Sequence, residues 1–130
     1  MPELHSFDFA IIRIVPRVER EEFVNAGVIV FCLGQKFLRA QVQADPARVL
    51  ALWPTIDMEL VRQHLEAFPK ICDGDAGAGP IAKLSARERF HWLVAPRSTM
   101  IQISAVHSGL CESPDAVLEE MFRQMVLLPL

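Results

Sequence analysis

Phe7-Asp8-Phe9-Ala10-Ile11-Ile12-Arg13-Ile14-Val15 decides the fold. Side chains alternate across a strand, so Phe7, Phe9, Ile11 and Val15 share one face and Ala10, Ile12 and Ile14 the other. Apolar residues on both faces mark a central strand covered from both sides. Arg13 interrupts the first face. A charge there must reach the end of the sheet or meet a carboxylate, because an unpaired buried charge is costly. Pro16 ends the strand.

Outward from it, Arg17 to Asn25 (RVEREEFVN) reads as a charged connection, and Asn25-Ala26-Gly27 as residues that tolerate unusual backbone angles. Val28 to Leu33 is a second strand, apolar on both faces. Gly34-Gln35 fits a tight hairpin turn with glycine at its first central position. Lys36 to Gln43 (KFLRAQVQ) alternates Leu38, Ala40 and Val42 against Arg39, Gln41 and Gln43, the pattern of an edge or one-sided strand.

Helix signals follow. Asp45-Pro46 reads as an N-cap with proline at the first helical position, opening a short helix before Pro54. A second helix from Asp57 carries the stripe Met58, Val61, Leu65 and Phe68, with Pro69 as its stop. Asp73 to Gly79 (DGDAGAG) is a flexible loop. Ser85 with Glu88 matches a capping box, starting a brief helix to about Trp92 that Pro96 breaks. Met100 to Val106 is the fourth strand, and Gly109 turns the chain. Ser113-Pro114 starts the clearest amphipathic helix, striped by Leu118, Met121, Phe122 and Met125.

Strands grouped ahead of helices predict an α+β fold. The expected architecture is a single domain over residues 1–130. It has a four-stranded, mostly antiparallel sheet of order 3-2-1-4, with helices packed on one face. The other face would then expose apolar residues of the first two strands. Trp53 and Trp92 are expected in the core.

The chain has 130 residues, 52% hydrophobic and 22% charged, with a net charge of −3. That is enough for one core and too apolar for disorder. No basic run is present, which argues against a nucleic-acid-binding face. The longest apolar run, Ala26 to Leu33, is too short to span a bilayer. Three widely spaced cysteines, Cys32, Cys72 and Cys111, fit reduced thiols and predict a cytoplasmic protein. His5, His64, His91 and His107 show no metal-ligand spacing, so neither a metal nor a cofactor is expected.

The segments Ile11–Phe31 (IIRIVPRVEREEFVNAGVIVF) and Arg87–Pro114 (RERFHWLVAPRSTMIQISAVHSGLCESP) resemble the family catalogued as domain of unknown function 3037. Its most specific parts here are R-I-V-P, E-F-V-N-A-G-V and P-R-S-T-M-I-Q. The resemblance implies a small bacterial protein of about this length, acting as an accessory beside a HipA-like kinase and hence having a protein partner. It implies no catalytic residue.

The polar residues that can form a site are Arg13, Asn25, Arg97, Ser98 and Gln102. Guanidinium groups bind phosphate or carboxylate in a fork, so two arginines with a hydroxyl and amides would make an anion cradle. The structural counterpart is Arg13 or Arg97 locked to Glu19, Glu21 or Glu22. Ser98 and His107 do not form a nucleophile–base pair: an extended strand would hold them ~25 Å apart, and no nucleophile-elbow motif is present. Two functions remain. One is a non-catalytic interaction or accessory domain, with a protein partner or a second copy. The alternative is a small enzyme or binding protein for a phosphate-bearing ligand, using an arginine-lined pocket.

Overall fold

In the computed structural model, which describes residues 3–97 and 99–128, strand β1 (His5–Ile14) lies between all its neighbours. It pairs antiparallel with β2 (Val24–Cys32) on one side. On the other it pairs with β4 (Ile101–Ile103) and β5 (His107–Cys111), which follow one another along it. Strand β3 (Phe37–Val42) pairs with β2 and forms the far edge. The order is β3-β2-β1-β4, as the sequence predicts, with β5 as a fifth strand.

The helices are α1 (Pro46–Leu52), α2 (Met58–Cys72), α3 (Ala86–Val94) and α4 (Pro114–Met125). Each begins where a side chain satisfies an orphan backbone donor. Asp45 accepts from Ala47, Asp57 from Leu60, Ser113 from Ala116, and Ser85 forms the full capping box with Glu88. Helix α2 runs past Pro69, because Ile71 and Cys72 are buried in the core and hold its last turn.

Layering departs from expectation, since the helices do not pack on one face. Helices α1, α2 and α3 cover the face of Ile12, Ile14, Ile29 and Phe31, with Val49, Val61, Leu65, Phe68, Phe90 and Leu93 filling that core. Helix α4 covers the opposite face, setting Leu118, Phe122 and Val126 against Ile11, Val28, Val30 and Cys32. The physical reason lies in β1 and β2 themselves. Strands apolar on both sides need cover on both, and the α4 stripe supplies it.

Two bulges shape the sheet around the middle of β1. On the β2 side Ile12 pairs with Gly27 but Arg13 pairs with Asn25, so Ala26 is an extra residue. Without it, Asn25 would point into the three-helix core; with it, Asn25 lies beside Arg13 on the α4 face and Val24 turns inward. Gly27 belongs to this strand because a Cβ there would sit 2.8 Å from Val42 and 2.9 Å from the Gln41 carbonyl. Strand β2 therefore begins at Val24, ahead of the Val28 start expected from the sequence.

On the other side Ile12 pairs with Ile103 and Phe9 with His107, again one residue too many. Ser104 fills the gap. Its N–H donates to the Ile11 carbonyl at 2.9 Å, and its Oγ accepts from the Ile11 N–H at 2.8 Å. A hydroxyl thus does the work of the missing strand carbonyl, which explains why Ser104 is buried at 8% exposure. The strand expected over Met100–Val106 is in fact split here into β4 and β5. Gly109 does not turn the chain. It lies within β5 opposite Phe7, whose ring would come within 2.9 Å of any Cβ. In the β2–β3 hairpin, the left-handed residue is Lys36, at φ 52°, closing a 3-10 turn over Leu33–Gln35. Glycine at position 34 does not carry the turn.

Candidate functional site

Arg13 is the middle of a row. Across the sheet it faces Asn25 on β2 and Gln102 on β4, so all three side chains leave from the α4 face at the Ile14 end of β1. Beyond Pro16 a 3-10 turn, Val18–Arg20, ends on Glu21 in the left-handed region, at φ 58°. That turn sends the chain back toward β2 and brings the Phe23 ring to 4.3 Å from the Arg13 guanidinium. A cleft of about 300 Å³ results, lined by Arg13, Arg97, Gln102, Glu21, Val15, Val18 and Phe23.

The carboxylate lock expected for the arginines is not the arrangement found. Arg17 pairs with Glu19 and Arg20 with Glu22, all four at the surface. Glu21 lines the cleft, but among the described residues no ion pair joins it to Arg13 or Arg97. Among the described residues Arg13 has the Phe23 ring and no carboxylate. Its Nε is buried without a hydrogen-bond partner, and so is the Oδ1 of neighbouring Asn25. Each such orphan costs about 1–3 kcal/mol unless a water or ligand satisfies it.

Arg97 is held differently. The chain breaks at Pro96 after α3, and Arg97 folds back to donate from Nη1 to the Leu93 carbonyl at 2.5 Å and from Nη2 to the Trp92 carbonyl at 3.1 Å. These are helix-end carbonyls, where a cation is favoured. Its guanidinium also lies 5.0 Å from the Trp92 ring and 5.4 Å from Phe68. Burial pulls its pKa below the usual arginine value.

The sequence-derived residues thus divide. Arg13, Arg97 and Gln102 line one cleft. Asn25 stands in the same row but ties the sheet to α4, its Nδ2 donating to the Met125 carbonyl at 3.1 Å. Gln102 donates to the Thr99 carbonyl at 3.0 Å. Ser98 lies outside the described residues. Sequence reasoning missed Phe23, an aromatic side chain stranded in a charged connection, which was the available signal. It also missed Trp92, expected in the core but 43% exposed beside Arg97. Trp53 is likewise only half-buried, against Arg17 at 4.1 Å.

Trp92 belongs to a second cleft of about 270 Å³, lined mainly by apolar side chains including Phe68, Ile71 and Leu93, with Arg97 again on its wall. At the opposite end of β1 a polar cleft of about 440 Å³ gathers His5, Ser6, Asp8, Arg87 and His91. Between β5 and α4 runs an apolar groove of about 520 Å³, floored by Phe7 and walled by Val117 and Met121. No helix among the described residues is long and apolar enough to cross a membrane. Over residues 9–126 the sequence matches the family described as Protein of unknown function (DUF3037). No curated protein and no solved structure matches it.

Proposed function

The chain belongs to that family of unknown function, and from its own geometry we propose that it is a non-catalytic binding domain for an anion-bearing molecule, held at Arg13. The carrying observation is the half-buried Arg13 guanidinium, which among the described residues has an orphaned Nε and no carboxylate partner, in a cleft that also presents Arg97 and Gln102. A phosphate or carboxylate there accepts forked hydrogen bonds and replaces an unpaired charge with a paired one. The polar groups of the described lining are two guanidiniums, the Gln102 amide and the Glu21 carboxylate, a set suited to holding an anion.

Titration calorimetry with inorganic phosphate and with citrate tests this. Binding with a Kd in the millimolar range or tighter is expected, lost in Arg13→Met with the fold intact by circular dichroism. Equal binding by Arg13→Met and the parent protein would sink it.

A second reading keeps the accessory role and a protein partner. It is favoured by the β5–α4 groove and by β5 itself, which among the described residues pairs only with β1 and leaves Leu110 67% exposed. An open strand edge beside an apolar groove accepts an added strand or helix. The partner would be a HipA-like kinase, as the family resemblance implies, or a second copy. Light scattering with and without such a kinase decides: a monomer that ignores the kinase defeats this reading and leaves the first untouched. The cytoplasm belongs to the same proposal, since all three cysteines are unpaired and buried.

A further inference from the structure

Two clefts share Arg97. One side of the residue faces Arg13 and Gln102; on the other lies the apolar cleft of Phe68, Ile71 and Trp92. Resting on the anion-binding reading, we infer that the ligand is an amphipathic anion: its charged group sits between Arg13 and Arg97, and a flat apolar group reaches across Arg97 into the Phe68–Ile71–Trp92 cleft.

Four observations support this. Each cleft is small, about 300 and 270 Å³, at or below the bottom of the usual range for a ligand site, so neither alone holds more than a fragment. Arg97 is fixed at the junction by two carbonyl bonds, so its position costs little ordering on binding. Its guanidinium already lies near the Trp92 and Phe68 rings, and a planar cation of that kind stacks a further ring on its face. Trp92 is 43% exposed, and a ring in the cleft would remove part of that surface from water.

The chemistry predicts a phosphate monoester or a free carboxylate with an aromatic body, rather than a free inorganic ion. Calorimetric titration with methyl phosphate and phenyl phosphate separates head from tail. Phenyl phosphate is expected to bind about tenfold more tightly. Ala67 also lines the apolar cleft, and Ala67→Phe, which fills it, should erase that gain and leave methyl phosphate binding within about twofold. Trp92→Ala should likewise erase the gain, weakening phenyl phosphate more than methyl phosphate. Arg13→Met should remove both ligands. Equal binding of the two phosphates by the parent protein, still dependent on Arg13, overturns this inference and leaves the anion-binding reading standing. If neither phosphate binds, the anion-binding reading itself has failed. A tail preference that survives both cleft variants overturns the placement of the tail.

Discussion

One face of the sheet is closed by three helices and the other by one. The three-helix face is a continuous core from Val49 through Phe90 to Ile101. On the other, α4 lies over β2 and reaches β3. A helix is about 10–12 Å wide with its side chains, and strands lie about 4.8 Å apart, so one helix covers little more than two strands. The remainder of that face is finished with other materials. At one end stands the polar row Asn25–Arg13–Gln102; at the other, from Phe7 and Cys111 along α4, runs the apolar groove of Val117 and Met121. Fully covered sheet is spent on stability, and incompletely covered sheet is where a site can open.

The hardest test of this contrast is core truncation. Phe90 is 2% exposed and stacks on Phe31 at 5.1 Å between centroids. Phe90→Ala should lower unfolding free energy by about 3–5 kcal/mol in urea denaturation. Leu118→Ala under the single helix should fall toward the low end of the ~2–5 kcal/mol range, because α4 can settle into the space. Equal losses, or the reverse order, would break the comparison.

Ser104→Ala comes next. It removes the acceptor for the Ile11 N–H at the junction of β4 and β5 and should cost about 1–3 kcal/mol, with hydrogen exchange at Ile11 accelerated. Unchanged exchange there would show that the hydroxyl is not holding the two strands to β1.

A smaller effect follows pH. Burial, reinforced by Asp73, pushes the Cys72 thiol up to about 12 from 9.0. The folded state therefore keeps a proton that the unfolded chain releases. Its stabilising effect is complete below pH 9 and is lost as pH rises toward 12. The loss from this group is on the order of 1 kcal/mol by pH 10. Cys72→Ala should flatten that part of the pH profile, and a thiol reagent at pH 8 should leave native Cys72 unmodified.

The smallest expected change in stability is at the cleft. Arg13→Met removes the orphaned Nε but also the guanidinium's contact with the Phe23 ring, and keeps the hydrocarbon stem. The gain and the loss offset, so stability should move by less than about 1 kcal/mol, in either direction, while anion binding disappears. A loss as large as that of Phe90→Ala would place Arg13 with the core and remove the contrast between the two faces.

Much of this was legible because it is written in local pattern. Asp45, Asp57, Ser85 and Ser113 announce their helices by cap chemistry that needs only three or four neighbouring residues. The two-sided apolarity of Phe7–Val15 placed β1 in the centre. The bulges were not legible. Ala26 and the residues around Ser104 have no composition that distinguishes an extra residue from a paired one, and Gly109 reads as a turn until Phe7 is known to lie across it. Trp92 was misplaced for a related reason: helical spacing tells which residues share a face, and only a neighbour tells whether that face is covered.

The sequence by itself determined the α+β class, the strand order, the capped helix starts and the family, because periodicity, caps and motif runs act over short stretches of chain. Only tertiary structure decided that α4 crosses to the second face, that a bulge turns Asn25 beside Arg13, and that Arg97 joins two clefts. Those outcomes depend on which residues meet across the chain, about a dozen positions apart for Arg13 and Asn25 and some 80 or more for Arg13 with Arg97 and Asn25 with Met125. A one-residue change of register reverses the direction of every side chain after it.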